Sequence, residues 1–84
     1  MTVAELDSFL DEKGYFIDKV NYSYNKTYDG FFIYMKVCDD FIDINAIRNT
    51  FSVTKSTSLK YLTKKELINI VDKLKEIITL YKSL

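Results

Sequence analysis

The sequence predicts an α+β domain in two layers, with the order α-β-β-β-α and a three-stranded antiparallel meander that has both helices on one face. Apolar residues recur at three- and four-residue spacing near both ends of the chain, as in amphipathic helices. Between them, short stretches alternate apolar and polar residues and are separated by residues that favour turns. Because a chain of 84 residues supports one small core, we expect a single domain over residues 1–84.

The first helix is predicted to extend to about Lys13. Thr2 and Glu5 have the spacing of a capping box, in which the hydroxyl accepts from an early backbone N–H and the carboxylate reaches back to the cap. Gly14 ends the helix, because glycine enters the left-handed conformation without the steric penalty of a Cβ atom. The apolar residues that share one face of this helix are Val3, Leu6, Phe9 and Leu10.

Three strands are predicted in the middle of the chain, at residues 19–24, 31–38 and 41–46. The second strand has the clearest alternation, and its inward set is Phe31, Ile33, Met35 and Val37. Asp29-Gly30 favours a turn, and it lies within a connection that starts near Asn25 and is longer than a two-residue hairpin. Asp39-Asp40 predicts the next turn.

Residues 47–62 allow two interpretations, whereas the helix that follows them is well defined. Phe51 and Val53 belong either to a fourth, edge strand or to a loop that is pinned to the core. Thr63 repeats the capping box with Glu66 and starts a helix of about 19 residues. Its apolar stripe consists of Leu67, Ile70, Val71, Leu74, Ile77, Ile78 and Tyr81.

The composition excludes most catalytic and metal-binding sites. The chain has no histidine, so Cys38, its one cysteine, lacks an imidazole to deprotonate it, and cysteine-histidine zinc patterns cannot occur. With two glycines, it also lacks a phosphate-binding glycine loop. The acids Asp39, Asp40 and Asp43 are interpreted as a solvated turn, because the glycine and distal glutamate of an EF-hand are absent. We therefore expect no enzymatic activity, no cofactor and no metal.

Charge is distributed unevenly along the chain, although the formal total is zero. Residues 1–43 carry nine acids and four lysines, a net charge of −5, whereas residues 44–84 carry three acids and eight bases, a net charge of +5. Residues 44–65 contain no acid. Lys64 and Lys65 fall in the first turn of the last helix, where positive charge opposes the helix dipole. The lysines of this run are interpreted either as a solvated loop and helix start or as contacts to an anionic partner.

The outward side of the second predicted strand carries aromatic residues. Phe32 and Tyr34 are expected to point away from the core, joined by Phe41 of the next strand and edged by Lys19 and Lys36. Such a face suits base stacking or a protein interface, unless residues 47–62 fold over it. The candidates for partner binding are therefore Phe32, Tyr34, Lys36, Lys55, Lys60, Lys64 and Lys65.

The predicted layout, with Lys64-Lys65 at the start of the last helix, resembles the double-stranded RNA-binding domain, in which that position meets phosphates. The resemblance is confined to the layout and this lysine pair, because the chain has no proline or histidine for the family's loop between its first two strands. The layout also resembles several small phage-encoded inhibitors, including anti-CRISPR proteins. The first resemblance implies nucleic-acid binding, and the second implies binding to a host protein.

We expect a small non-enzymatic binding protein of the phage-inhibitor type, which blocks a host nucleic-acid-handling protein or nucleoprotein complex by occupying its surface. The alternative is a module that binds RNA or DNA directly, and a homodimer through the sheet face is a third expectation. No apolar run approaches the roughly 18 residues of a membrane span, and one cysteine cannot form an internal disulfide, so we expect a cytoplasmic protein without a membrane partner. The many Lys, Ile, Asn and Tyr residues suggest a low-GC bacterium or its phages.

Overall fold

The computed structural model describes all 84 residues and contains two helices and one sheet of five antiparallel strands. The elements are α1 (Val3–Glu12), β1 (Phe16–Asp18), β2 (Ser23–Tyr28), β3 (Phe31–Cys38), β4 (Phe41–Arg48), β5 (Phe51–Ser58) and α2 (Lys64–Lys82). The strands are adjacent in the order β1-β2-β3-β4-β5, which is a meander. The α+β class is confirmed, whereas the three-stranded sheet is wrong. The layout on which both resemblances rest, to the double-stranded RNA-binding domain and to small phage-encoded inhibitors, is therefore not the observed one.

Both helices begin at the predicted caps. The backbone N–H of Glu5 donates to the Thr2 hydroxyl at 3.2 Å, and the N–H of Thr2 donates to the Glu5 carboxylate at 3.1 Å, which completes the capping box. Thr63 caps α2 by accepting from the N–H of Glu66 at 3.1 Å. The Glu66 carboxylate accepts from the Thr63 hydroxyl at 3.0 Å and not from its backbone N–H, so the second predicted capping box is incomplete. Gly14 follows α1 with a φ of +84°, in the left-handed region that glycine favours.

The first predicted strand, at residues 19–24, is displaced. Residues 19–22 form a turn between β1 and β2, and the strand begins at Ser23 and continues to Tyr28. The carboxylate of Asp18 stabilises this turn by accepting from the backbone N–H groups of Val20 and Asn21, at 3.0 and 3.1 Å. Tyr28 is then joined to β3 by the two-residue turn Asp29-Gly30, whose φ values of +51° and +82° match a type I′ hairpin.

Residues 47–62 complete the sheet and do not fold over its outward side. β4 continues to Arg48, and a two-residue turn with Asn49 at φ +53° leads into β5, which forms the edge of the sheet. Of the two interpretations of this region, the edge strand is the one observed. The outward positions of β5 are hydroxyl residues, and Lys55 interrupts its inward set, so the strand has little apolar alternation.

One hydrophobic core lies between the helices and one face of the sheet. Its sheet residues are Tyr24, Phe31, Ile33, Met35, Ile42, Ile44 and Ala46, and its helix residues include Leu6, Leu10, Leu67, Leu74 and Ile78. The prediction that both helices pack on the same face is confirmed by this shared core. Neither helix is both long and apolar enough to cross a membrane.

Candidate functional site

The outer face, which we define as the side of the sheet away from the helices, is not covered by any other element. Its residues alternate with the buried core residues along each strand. They include Phe16 and Asp18 of β1, Asn25 and Thr27 of β2, Phe32, Tyr34 and Lys36 of β3, Phe41, Asp43, Asn45 and Ile47 of β4, and Ser52, Thr54 and Ser56 of β5. The outer face is therefore a continuous, solvent-facing surface built from all five strands.

Exposed aromatic rings are the main feature of the outer face. Phe16, Phe32 and Phe41 expose 67%, 55% and 56% of their surface, so a large part of each ring meets water. Tyr34 lies half-buried in the row that connects Asn25 with Asn45 across the middle strands. Four positions on one sheet thus present aromatic side chains on a backbone that the strand pairing holds rigid. Phe32 and Tyr34 adjoin on β3 with Ile47 opposite Phe32, whereas Phe41 lies opposite Cys38, at the other end of the β3–β4 pair. Contiguous exposed apolar surface, here around Phe32, is typical of an interaction site.

The polar side chains of the outer face are fixed by hydrogen bonds between neighbouring strands. The amide of Asn45 donates to the backbone carbonyl of Tyr34 at 3.3 Å, and the Thr54 hydroxyl donates to the Asn45 side-chain oxygen at 2.6 Å. The Ser56 hydroxyl donates to the carboxylate of Asp43. These bonds hold the polar part of the face in one arrangement, which lowers the entropy lost when a partner binds.

The charges of the outer face do not favour an anionic ligand. Lys36 lies directly opposite Asp43 in the β3–β4 register. Hydrogen bonds from Asn21 are the main cause that lowers the pKa of Asp18, and the nearby positive charge of Lys36 contributes a smaller part. Asp18, Lys36 and Asp43 are aligned across strands β1 to β4, so this row of the outer face has one lysine, two carboxylates and a net charge of −1.

The seven sequence-predicted candidates divide into two groups. Phe32, Tyr34 and Lys36 lie together on the outer face, as their alternation predicted. Lys55 lies opposite the buried Ile44, so it occupies the helix-facing side at the β5 edge. The remaining lysines follow β5 or begin α2; they are Lys60, Lys64 and Lys65. The four lysines of residues 44–65 and the aromatic residues of the outer face therefore do not form one site.

The two oppositely charged halves of the sequence are interleaved by the fold. Lys82 at the end of α2 forms an ion pair with Asp29 at 2.6 Å, the only one within 4 Å in the structure. The ammonium of Lys64 lies 5.6 Å from the centroid of the Phe9 ring on α1. A backbone hydrogen bond from Thr2 is the first cause that lowers the pKa of Glu5, and Lys64 adds a smaller effect. At these points the fold brings basic residues of the second half close to residues of the acidic first half.

The predicted acid cluster is divided between a turn and a strand. Asp39 and Asp40 form the turn between β3 and β4, with Asp39 at φ +53°. Asp43 lies on the outer face and accepts from Ser56. No group of three acidic, cysteine or histidine side chains is arranged to hold a metal ion. Cys38 is exposed at the end of β3.

Two outer-face residues, Phe16 and Ile47, were missed by the sequence analysis. Phe16 belongs to β1, which has three residues and is too short for alternation to be recognised. Ile47 lies opposite Phe32, beyond the predicted end of the third strand.

A search for similar proteins among family models, curated proteins and solved structures finds no match in any of the three.

Proposed function

We propose that the protein is a non-enzymatic binding protein that uses its outer face to occupy the surface of a larger protein. The observation that carries this proposal is the set of exposed aromatic residues on an uncovered five-stranded sheet, among which Phe32 and Tyr34 are neighbours on β3. Phe and Tyr are enriched in the buried centres of protein interfaces, where a few such residues supply most of the binding energy. The fixed polar residues beside them fit the polar rim of such an interface.

Charge favours a protein over a nucleic acid as the occupant. Proteins that stack bases on aromatic residues also need cations near the phosphates, and the strength of binding follows their number. On the outer face, Lys36 is the one cation beside two carboxylates, Asp18 and Asp43. A slightly acidic aromatic surface complements a basic surface, which is the kind that nucleic-acid-handling proteins present. The proposed partner is therefore a nucleic-acid-handling protein of a host, blocked in the manner of a small phage-encoded inhibitor.

The test compares outer-face variants with an exposed aromatic residue elsewhere. A partner is first captured from host lysate treated with nuclease, then identified, purified and used for calorimetric titration. Phe32→Ala and Phe41→Ala should each weaken its binding by about 30-fold, as expected for interface anchors. Tyr61→Ala is the matched control, because Tyr61 is 74% exposed but follows β5, outside the outer face; its affinity should change less than about threefold.

Three outcomes would contradict the proposal. Equal affinities of Phe32→Ala, Phe41→Ala and Tyr61→Ala for the purified partner would show that the outer face does not bind it. Capture that disappears after nuclease treatment, with duplex RNA or DNA binding lost in a Lys64→Glu and Lys65→Glu double variant, would instead indicate direct nucleic-acid binding. A dimer in sedimentation that Phe32→Ala converts to a monomer would assign the outer face to a second copy of the chain.

A further inference from the structure

A second candidate site lies in the other layer of the fold, in a cleft between α1, α2 and β2. The cleft has a volume of about 240 Å³. Its floor is apolar and includes Phe9, Tyr15, Tyr28, Ile33, Leu67 and Val71. These residues come from both helices, from β2 and β3 and, for Tyr15, from the segment between α1 and β1, so the cleft exists only in the folded chain. It is separate from the outer face, and a ligand bound there would be independent of the proposed function.

Three lysines surround this apolar floor. Lys13 follows α1, Lys26 lies on β2, and Lys75 lies on α2. One acid, Asp72, lines the cleft with them, so its net charge is +2. The single ion pair of the structure lies elsewhere, between Lys82 and Asp29, so none of the three lysines has a carboxylate within 4 Å.

The positions of these lysines are defined by contacts within the cleft. Lys26 donates to the backbone carbonyl of Lys13 at 2.8 Å, and its ammonium lies 5.6 Å from the Tyr15 ring centroid. The ammonium of Lys75 lies 4.8 Å from the Tyr28 ring centroid. Cation–π contacts hold the ammonium groups near the aromatic floor but leave their charge uncompensated.

We infer that the cleft binds a small anionic amphiphile, namely an alkyl carboxylate of about eight carbons. At about 30 Å³ for each water-sized group, the cleft volume of 240 Å³ accommodates about eight such groups. The alkyl chain lies on the apolar floor, and the carboxylate accepts hydrogen bonds from the lysine ammonium groups. Charge complementarity selects this occupant, because a neutral chain would leave the net positive charge of the rim uncompensated.

The head group is tested with three eight-carbon probes: octanoate, octanol and octyltrimethylammonium. Titration followed by amide chemical shifts should show saturable binding of octanoate, with the shifts centred on Lys26 and on the cleft side of α2. Octanol should bind at least tenfold more weakly, and octyltrimethylammonium should not bind. Raising the salt concentration should weaken octanoate binding and leave octanol binding unchanged.

The tail is tested with carboxylates of increasing length. From butanoate to octanoate, each added methylene should strengthen binding by about fourfold, because each one buries about one CH₂ of apolar surface. Beyond octanoate the gain should stop, since the cleft is then full. An uninterrupted gain up to dodecanoate would indicate nonspecific association with exposed apolar surface.

Lysine-to-glutamine variants distinguish two roles of the lysines. The ammonium groups bind the carboxylate, or the aliphatic parts of the side chains simply cover the apolar floor. Lys26→Gln with Lys75→Gln should weaken octanoate binding at least tenfold and leave octanol binding unchanged. Lys55→Gln is the matched control, because Lys55 is an exposed lysine outside the cleft, and its affinity should equal that of the unmodified protein. Unchanged octanoate binding in the double variant, equal binding of the cationic probe, or no saturable octanoate binding up to about 5 mM would each overturn the inference.

Discussion

The opposite environments of Ile33 and Phe32, neighbours on β3, make a quantitative prediction. Ile33 is 1% exposed and belongs to the core, whereas Phe32 is 55% exposed on the outer face. Ile33→Ala removes three carbon atoms, which at about 0.8 kcal/mol each is about 2.4 kcal/mol of transfer free energy. A cavity term adds to this, so we expect a loss of about 3 kcal/mol in the free energy of unfolding. Phe32→Ala should cost about 1 kcal/mol, since it removes a partly solvated ring and some β-propensity.

Urea denaturation followed by far-ultraviolet circular dichroism measures this difference. With an m-value of about 1–1.5 kcal/mol/M, the midpoint should fall by about 2–3 M for Ile33→Ala and by about 0.5–1 M for Phe32→Ala. If Ile33→Ala does not fold, Ile33→Val should still lose about 1 kcal/mol. Equal losses for the two alanine variants, at equal m-values, would refute the assignment of an open outer face.

Two further predictions concern tyrosines. Burial raises the pKa of Tyr15 to about 12, and burial followed by the hydrogen bond to Asp7 raises that of Tyr24 as well. Because the pKa of tyrosine in the unfolded chain is about 10, the folded state favours the neutral phenols. The contribution of these tyrosines to the free energy of unfolding should therefore be constant below pH 10 and fall as the pH rises toward 12. Tyr15→Phe should flatten this decline in urea midpoints between pH 9 and pH 11, and an unchanged slope would contradict the assignment. Tyr22 has a φ of +53°, which is costly for a residue with a Cβ atom. Tyr22→Gly should therefore melt at a higher temperature than Tyr22→Ala, by a margin equivalent to about 0.5–1 kcal/mol, and equal melting temperatures would show that this backbone conformation is not strained.

The helices were predictable because their signals are local. Thr2 with Glu5 and Thr63 with Glu66 place each cap within four residues of sequence, and the apolar stripes need no information about the rest of the fold. β3 was predictable for a similar reason, because a central strand buries one full side and therefore alternates clearly.

The edge strands and the grouping of the candidate residues depend on long-range structure. β5 has a neighbour on one side only, and it tolerates Lys55 at an inward position because that position lies at the solvated edge. The turn after β1 is formed by the Asp18 carboxylate, which overrides the alternation of Val20 and Tyr22. The separation of the aromatic residues from the basic run follows from strand register, which the sequence of β5 does not reveal.

The meander has a consequence for how the chain assembles. Each strand pairs with the next one along the chain, and three of the four connections are two-residue turns in which Asp29, Asp39 or Asn49 adopts a left-handed conformation. Closing such short loops costs little entropy, so β2 to β5 can form as successive hairpins before distant segments meet. The contacts between α1 and α2 join opposite ends of the chain, and we expect them to form last, when the finished sheet presents a surface on which both helices can dock.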